Sequence, residues 1–103
     1  MIAGTPTKQM ILLRTDGVDY PMLAEVYPCG LALHRAENGD WMVTHVTVGK
    51  HVATAYLKRE AVACIEALAA ICDWTQGERL VWQHGEAIKA ALARPETYGR
   101  AIR

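Results

Sequence analysis

Serine does not occur in this sequence, phenylalanine is absent as well, and Asn38 is the only asparagine among 103 residues. Without a serine hydroxyl no serine hydrolase can be assembled, so that class of catalyst is excluded at the start. Cysteine is scarce and odd in number: Cys29, Cys64 and Cys72 show no CxxC spacing. That argues against a disulfide framework or a cysteine-rich zinc site and leaves reduced structural thiols. An excess of one charge is missing too. Lys and Arg total 11 and so do Asp and Glu, which removes the broad positive field that sequence-independent nucleic-acid binding uses. The one basic concentration, the tail "RPETYGRAIR", reads as solvated. No apolar run approaches the ~20 residues of a spanning helix. The start "MIAGTPTKQM" lacks the basic residues and long apolar stretch of a secretory signal, so a cytoplasmic location without a membrane partner is expected.

What is present is a globular composition, 51% apolar and 21% charged. Its length suits one domain over residues 1–103, with 1–7 as a flexible arm and 95–103 as a tail. Asp16-Gly17 lies between two β-prone runs and predicts a two-residue hairpin turn that sets Arg14 opposite Asp19. Pro21 and "PCG" at residues 28–30 confine the next strand to a short or edge position. Asn38-Gly39 and Gly49-Lys50 repeat the turn signal and would pair His34 with Val43 and His45 with Thr54. A three-residue bulged loop at Asn38 to Asp40 would instead shift the register by one and mix the faces. After Leu57 the period changes from two to about 3.6. Ala61, Ile65, Leu68 and Cys72 form one helical stripe, and Ala63, Ala67 and Ala70, ending at Trp74, form a small-residue stripe that admits a second helix. Thr75 with Glu78 reads as a capping box opening that helix, which runs through Val81, Gly85, Ile88 and Leu92 and stops at Pro95. Gly85 permits a break that would leave "ERLVWQ" extended; the continuous helix is favoured. The predicted fold class is α+β: an antiparallel four- or five-stranded meander with a C-terminal two-helix hairpin packed on one face.

Two-residue turns sort the side chains. One face carries Leu31, Leu33, Met42, Thr44, Val46, Val48, Ala53, Ala55 and Leu57 and belongs under the helices. The other carries Ala32, His34, Trp41, Val43, His45, Thr47, Val52, Thr54 and Tyr56, an amphipathic surface with no helix left to cover it. Trp41 and Tyr56 would stabilise that sheet as a cross-strand pair or anchor a partner protein.

Catalytic and metal chemistry finds little support. His34 and His45 would sit diagonally about 7 to 8 Å apart, but no third metal ligand converges on them. Cys29 in "YPCGL" lacks a base and an orienting group. His84 has no carboxylate at i+3 or i+4, and no Gly-rich phosphate loop or suggestive carboxylate pair occurs. No catalytic residues, metal or cofactor are therefore assigned.

Two resemblances bear on function. Trp41 opening a strand and "VGKHVATAYLKREAV" running into a helix resemble, in layout and over half the chain, the AP2 and integrase-type DNA-binding domains, whose sheet enters a groove. The outward face here lacks the arginines and lysines that such sheets use. The stretch Trp41 to Trp74, with "WMVTH", a nearby glycine and an alanine-rich helix ending in "DW", resembles small accessory proteins of bacterial phages and mobile elements. This implies inhibition of a host defence complex such as a CRISPR effector, and no residue roles carry over. The expected function is thus a non-enzymatic protein-binding module of mobile-element type, contacting its partner through Trp41, His45, Thr54, Tyr56 and His34, with Trp82 on the polar side of its helix as a second anchor. A structural homodimer and direct nucleic-acid binding are the alternatives.

Overall fold

Nine-residue strands β1 (Thr7–Thr15) and β2 (Val18–Val26) open the chain, paired in one register from Thr7↔Val26 to Thr15↔Val18. The computed structural model describes residues 2–15, 17–93 and 100–101. Arg14 lies opposite Asp19, as the Asp16-Gly17 signal predicts, and their side chains meet at 3.4 Å. β3 (Leu31–Arg35), β4 (Trp41–His45) and β5 (Lys50–Ala55) continue an antiparallel meander of five strands in chain order, and a two-residue β6 (Arg100–Ala101) pairs with β5.

The ladder between β2 and β3 is short, joining only Glu25↔Leu33 and Val26↔Ala32. The break falls well before Pro21, which in this register would lie opposite Glu37, beyond the end of β3. The Arg14 amide points away from β2 and donates to the Gly49 carbonyl at 2.7 Å. By the alternation of an antiparallel ladder, Pro21, opposite Leu12, turns its nitrogen toward the β3 side. Having no N–H, it would also be unable to resume that ladder. The hairpin splits from β3 and curls across the far side of the sheet, where Ile11 and Ala24 enclose Ala32 in a small second core with Leu13, Met22, Val26 and Val46 at its margin.

Two expected turns are longer than two residues. The Gly39 amide donates to the Ala36 carbonyl and the Ala36 amide to the Asp40 carbonyl, with Gly39 at φ +91°. This is a three-residue loop with a left-handed third residue, and it pairs His34 with Met42 rather than Val43. The β4–β5 turn occupies 46–49 and pairs His45 with Lys50 rather than Thr54, after which a bulge between Val43 and Thr44 shifts the register again. The faces therefore mix. Val43 and His45 join Leu31, Leu33, Ala53 and Ala55 beneath the helices, whereas Thr44 and Met42 share the far side with His34 and Thr54.

Helix α1 (Lys58–Ala69) packs on that first side through Ala61, Cys64, Ile65 and Leu68. Its predicted stripe holds except at Cys72, which is half-buried beyond the helix end. The second helical segment is interrupted: α2 (Glu78–Val81), a 3-10 turn (Trp82–His84) and α3 (Gly85–Leu92). The residues stay helical throughout, so "ERLVWQ" is not extended, but the tightening before Gly85 divides the helix. The Thr75–Glu78 capping box does not form. Gly77 is the N-cap, Thr75 is held by Asp73 Oδ1, and Glu78 reaches Lys50 instead. The Pro95 stop and most of the 95–103 tail lie outside the described residues. At the other end the arm is tied down: Ala3 is fully buried, and the Ile2 and Ala3 amides donate to Glu66 Oε1.

Trp74 closes the core. It is fully buried, its indole N–H donates to the Leu68 carbonyl at 2.8 Å, and its amide donates to the Cys29 carbonyl at 3.0 Å. That contact brings the Trp74 backbone against Gly30, where an added Cβ would lie 2.3 Å from the Trp74 carbonyl carbon, at φ +102°. Gly39 shares the positive φ but has nothing within 4 Å. Gly30→Ala is therefore expected to cost about 3 kcal/mol or more, from overpacking added to backbone strain, and Gly39→Ala only about 1 kcal/mol. Urea unfolding midpoints of the two variants check the difference; equal losses would show that the Trp74 contact yields freely.

Candidate functional site

The side chains expected on one outward face are distributed over three environments. His34, His45 and Thr54 are buried, at 6%, 2% and 2% exposure. His45 lies beneath the helices, edge-on to Trp74 at 5.2 Å between ring centroids, and its Nε2 donates to the Gln76 carbonyl at 2.8 Å. His34 is on the far side with Nε2 3.2 Å from Thr44 Oγ1, and the Thr54 hydroxyl donates to Met42 Sδ at 3.5 Å. Trp41 is half-buried against the core opposite Ala55, with Arg35 and Lys58 at 5.2 and 5.3 Å from its ring centroid. Those cations occupy much of its π surface. Only Tyr56 of the sheet set is well exposed, at 59%. The register shift and the curling of the β1–β2 hairpin account for the difference, since together they cover the far side that no helix reaches.

Trp82, the remaining candidate, has a different setting. It is half-buried and lines a groove of about 590 Å³ between the β4–β5 turn and α2. Around it stand Lys50, His51, Glu78 and Arg79, with His45, Val48 and Val52 deeper in the wall. Lys50 Nζ lies 3.2 Å from Glu78 Oε2, a half-exposed pair that spans the groove. The exposed Leu80 adjoins it in sequence. The volume falls within the ~300 to 1,000 Å³ of typical binding clefts. Reading the sequence missed Lys50, His51, Glu78 and Arg79. Glu78 and Trp82 at i, i+4 gave half the signal, but the β4–β5 turn could be brought to them only by the Trp74 contact.

A smaller slot of about 170 Å³ opens where β2 and β3 diverge, lined by Lys8, Leu23, Glu25, His34, Arg35 and Trp41 among others. His34 Nδ1 is buried without a hydrogen-bond partner among the described residues.

Covalent and metal chemistry have little to work with. Burial pushes the thiols of Cys29 and Cys72 up, and that of Cys64 to about 12, so all three are protonated and poorly nucleophilic at neutral pH. Thr44, the hydroxyl beside His34, is fully buried. No group of three or more His, Cys, Asp or Glu residues able to hold a metal occurs among the described residues. No described helix is long and apolar enough to cross a membrane. Fold and site thus define an α+β domain with a curled antiparallel sheet and an aromatic, charge-lined groove beside its C-terminal helices. No family model, curated protein or solved structure matches the chain.

The imidazoles make this arrangement sensitive to pH. His34 is held below its ordinary 6.5 chiefly by burial, with the Arg35 backbone acting the other way and His51 adding to the shift; His51 itself is lowered by partial burial of its ring. As pH falls through about 6.5 the unfolded chain takes up protons that the folded chain refuses. Stability that is full above that value is therefore lost below it. The urea midpoint is expected to be lower at pH 5.5 than at 7.5, and His34→Gln is expected to narrow the gap. An undiminished gap in the variant would assign the effect to other groups.

Proposed function

We propose that this protein is a non-enzymatic protein-binding module whose contact surface is the groove around Trp82. The observation that carries the reading is the placing of a half-buried indole among Lys50, His51, Glu78 and Arg79. Protein interfaces concentrate their energy in aromatic and arginine anchors surrounded by polar groups that exclude water. Protonated thiols and a Thr44 hydroxyl that is fully buried beside His34 favour binding over catalysis. Both faces of the β3–β5 sheet are largely covered, so insertion of a sheet face into a nucleic-acid groove has less support than it had from the strand layout alone. The phage and mobile-element resemblance supplies the first partner class to present, a host nucleoprotein defence complex such as a CRISPR effector.

The test is affinity capture after nuclease treatment, from a bacterial lysate containing such a complex. The wild type is expected to retain a protein partner. Arg79→Glu, at an exposed position beside Trp82, is expected to weaken retention about tenfold, and Trp82→Ala by more. Circular dichroism confirms that both variants are folded. Retention unaffected by either substitution moves the contact surface elsewhere, and loss of the partner on nuclease treatment points to nucleic acid.

A further inference from the structure

The outer side of the β1–β2 hairpin carries a stripe of apolar side chains that none of the described residues covers. Met10 pairs with Leu23 and Leu12 with Pro21; Met10, Leu12 and Leu23 are 63%, 51% and 56% exposed. The same side carries a charged pair at each end of the stripe, Lys8 opposite Glu25 and Arg14 opposite Asp19. Both cations belong to β1 and both anions to β2. A contiguous apolar patch with a charged rim marks an interaction surface, and this distribution of charge bears on the occupant.

We propose that a second copy of the chain packs on this surface, hairpin against hairpin, about a twofold axis that runs parallel to the strands between β1 and β2. Such an axis lays β1 of one copy over β2 of the other without reversing the strand direction. Lys8 then faces Glu25 of the second copy, Arg14 faces its Asp19, Met10 faces Leu23 and Leu12 faces Pro21. The other in-plane twofold, perpendicular to the strands, sets Lys8 against Arg14 and Glu25 against Asp19, so that like charges meet. The charge pattern therefore selects one symmetric arrangement and opposes the other. Face-to-face sheet packing suits a stripe of alternate residues, because every second side chain of each strand enters the interface. None of the groove residues around Trp82 belongs to the stripe, so this inference does not depend on the proposed function, and a dimer presents two grooves.

The experiment compares sedimentation of the wild type with two charge variants. Lys8→Glu with Arg14→Glu makes all four of the hairpin's charged pair positions negative, and Asp19→Lys with Glu25→Lys makes all four positive. The wild type is expected to sediment at twice 11.4 kDa, each variant alone as a monomer, and an equimolar mixture of the two as a heterodimer. Leu12→Asp leaves the charged pairs intact and is expected to weaken dimerisation about 100-fold, which guards against misfolding of the charge variants. A wild type that is monomeric at millimolar concentration overturns the inference. So does a dimer that persists in Leu12→Asp, since it uses another surface. If both charge variants fold and are monomeric but fail to associate when mixed, the parallel twofold is wrong.

Discussion

The insertion of Trp74 between helix α1 and the β2–β3 loop is the contact on which the other parts of this structure depend. Its indole is bonded back to the helix it follows, its amide to Cys29, and its ring meets the edge of His45. One residue thus ties the helix, a loop and a strand end together. The adjoining chain is held as firmly, because the Thr75 and Gln76 carbonyls accept from Thr47 and His45. An aromatic ring this deeply buried contributes several kcal/mol, but its larger consequence is positional. By fixing residues 74–76 on the β4–β5 turn, it starts α2 beside Lys50 and so creates the groove.

The same contact explains why some features of the fold were legible in the sequence and others were not. Asp16-Gly17 fixed its hairpin correctly because a two-residue turn is a local device and its flanking strands are long. The change of period after Leu57 located α1 because burial of Ala61, Ile65 and Leu68 follows helical spacing. Asn38-Gly39 failed by one residue. Asn38 Oδ1 accepts from the Asp40 amide, and that local bond belongs to a three-residue loop for which the dipeptide alone is no guide. A one-residue slip exchanges the two faces of a strand. His45, expected on an outward surface, therefore lies under Trp74, and Val43 lies in the main core.

Of the candidate residues Tyr56 is well exposed, and Trp82, expected to be exposed on the polar side of its helix, is half-buried against the core. Its neighbours come from chain segments about 30 residues apart, as in Lys50 and Glu78, and periodicity within one element carries no information about such meetings. The hairpin stripe is a different case. Once Arg14 is set opposite Asp19, the pairs Met10–Leu23 and Lys8–Glu25 follow by counting. Which side of that hairpin faces solvent does not follow, because it depends on the ladder to β3 ending after two pairs and letting the hairpin curl.

Among the described residues the helix layer does not reach the stripe. The outer side of the hairpin is continuous with the helix-covered side of β3 to β5, since Glu25 and Leu33 pair directly. The two ends of α1 lie toward the two ends of β3: Lys58 at Trp41, which pairs with Arg35, and Leu68 at Trp74, whose amide meets Cys29. The helix begins at Lys58, whose ammonium lies 3.0 Å from Glu25 on β2. That ion pair marks the end of the layer: a charged group stands where the next apolar contact would have to be, with Leu23 and Met10 beyond it. The segment before Lys58 cannot continue the layer, because it is already strand β5 and its short connection. The described residues therefore bury one side of β3 to β5 with the helices and the opposite side with the hairpin, and none of them covers the outer side of the hairpin.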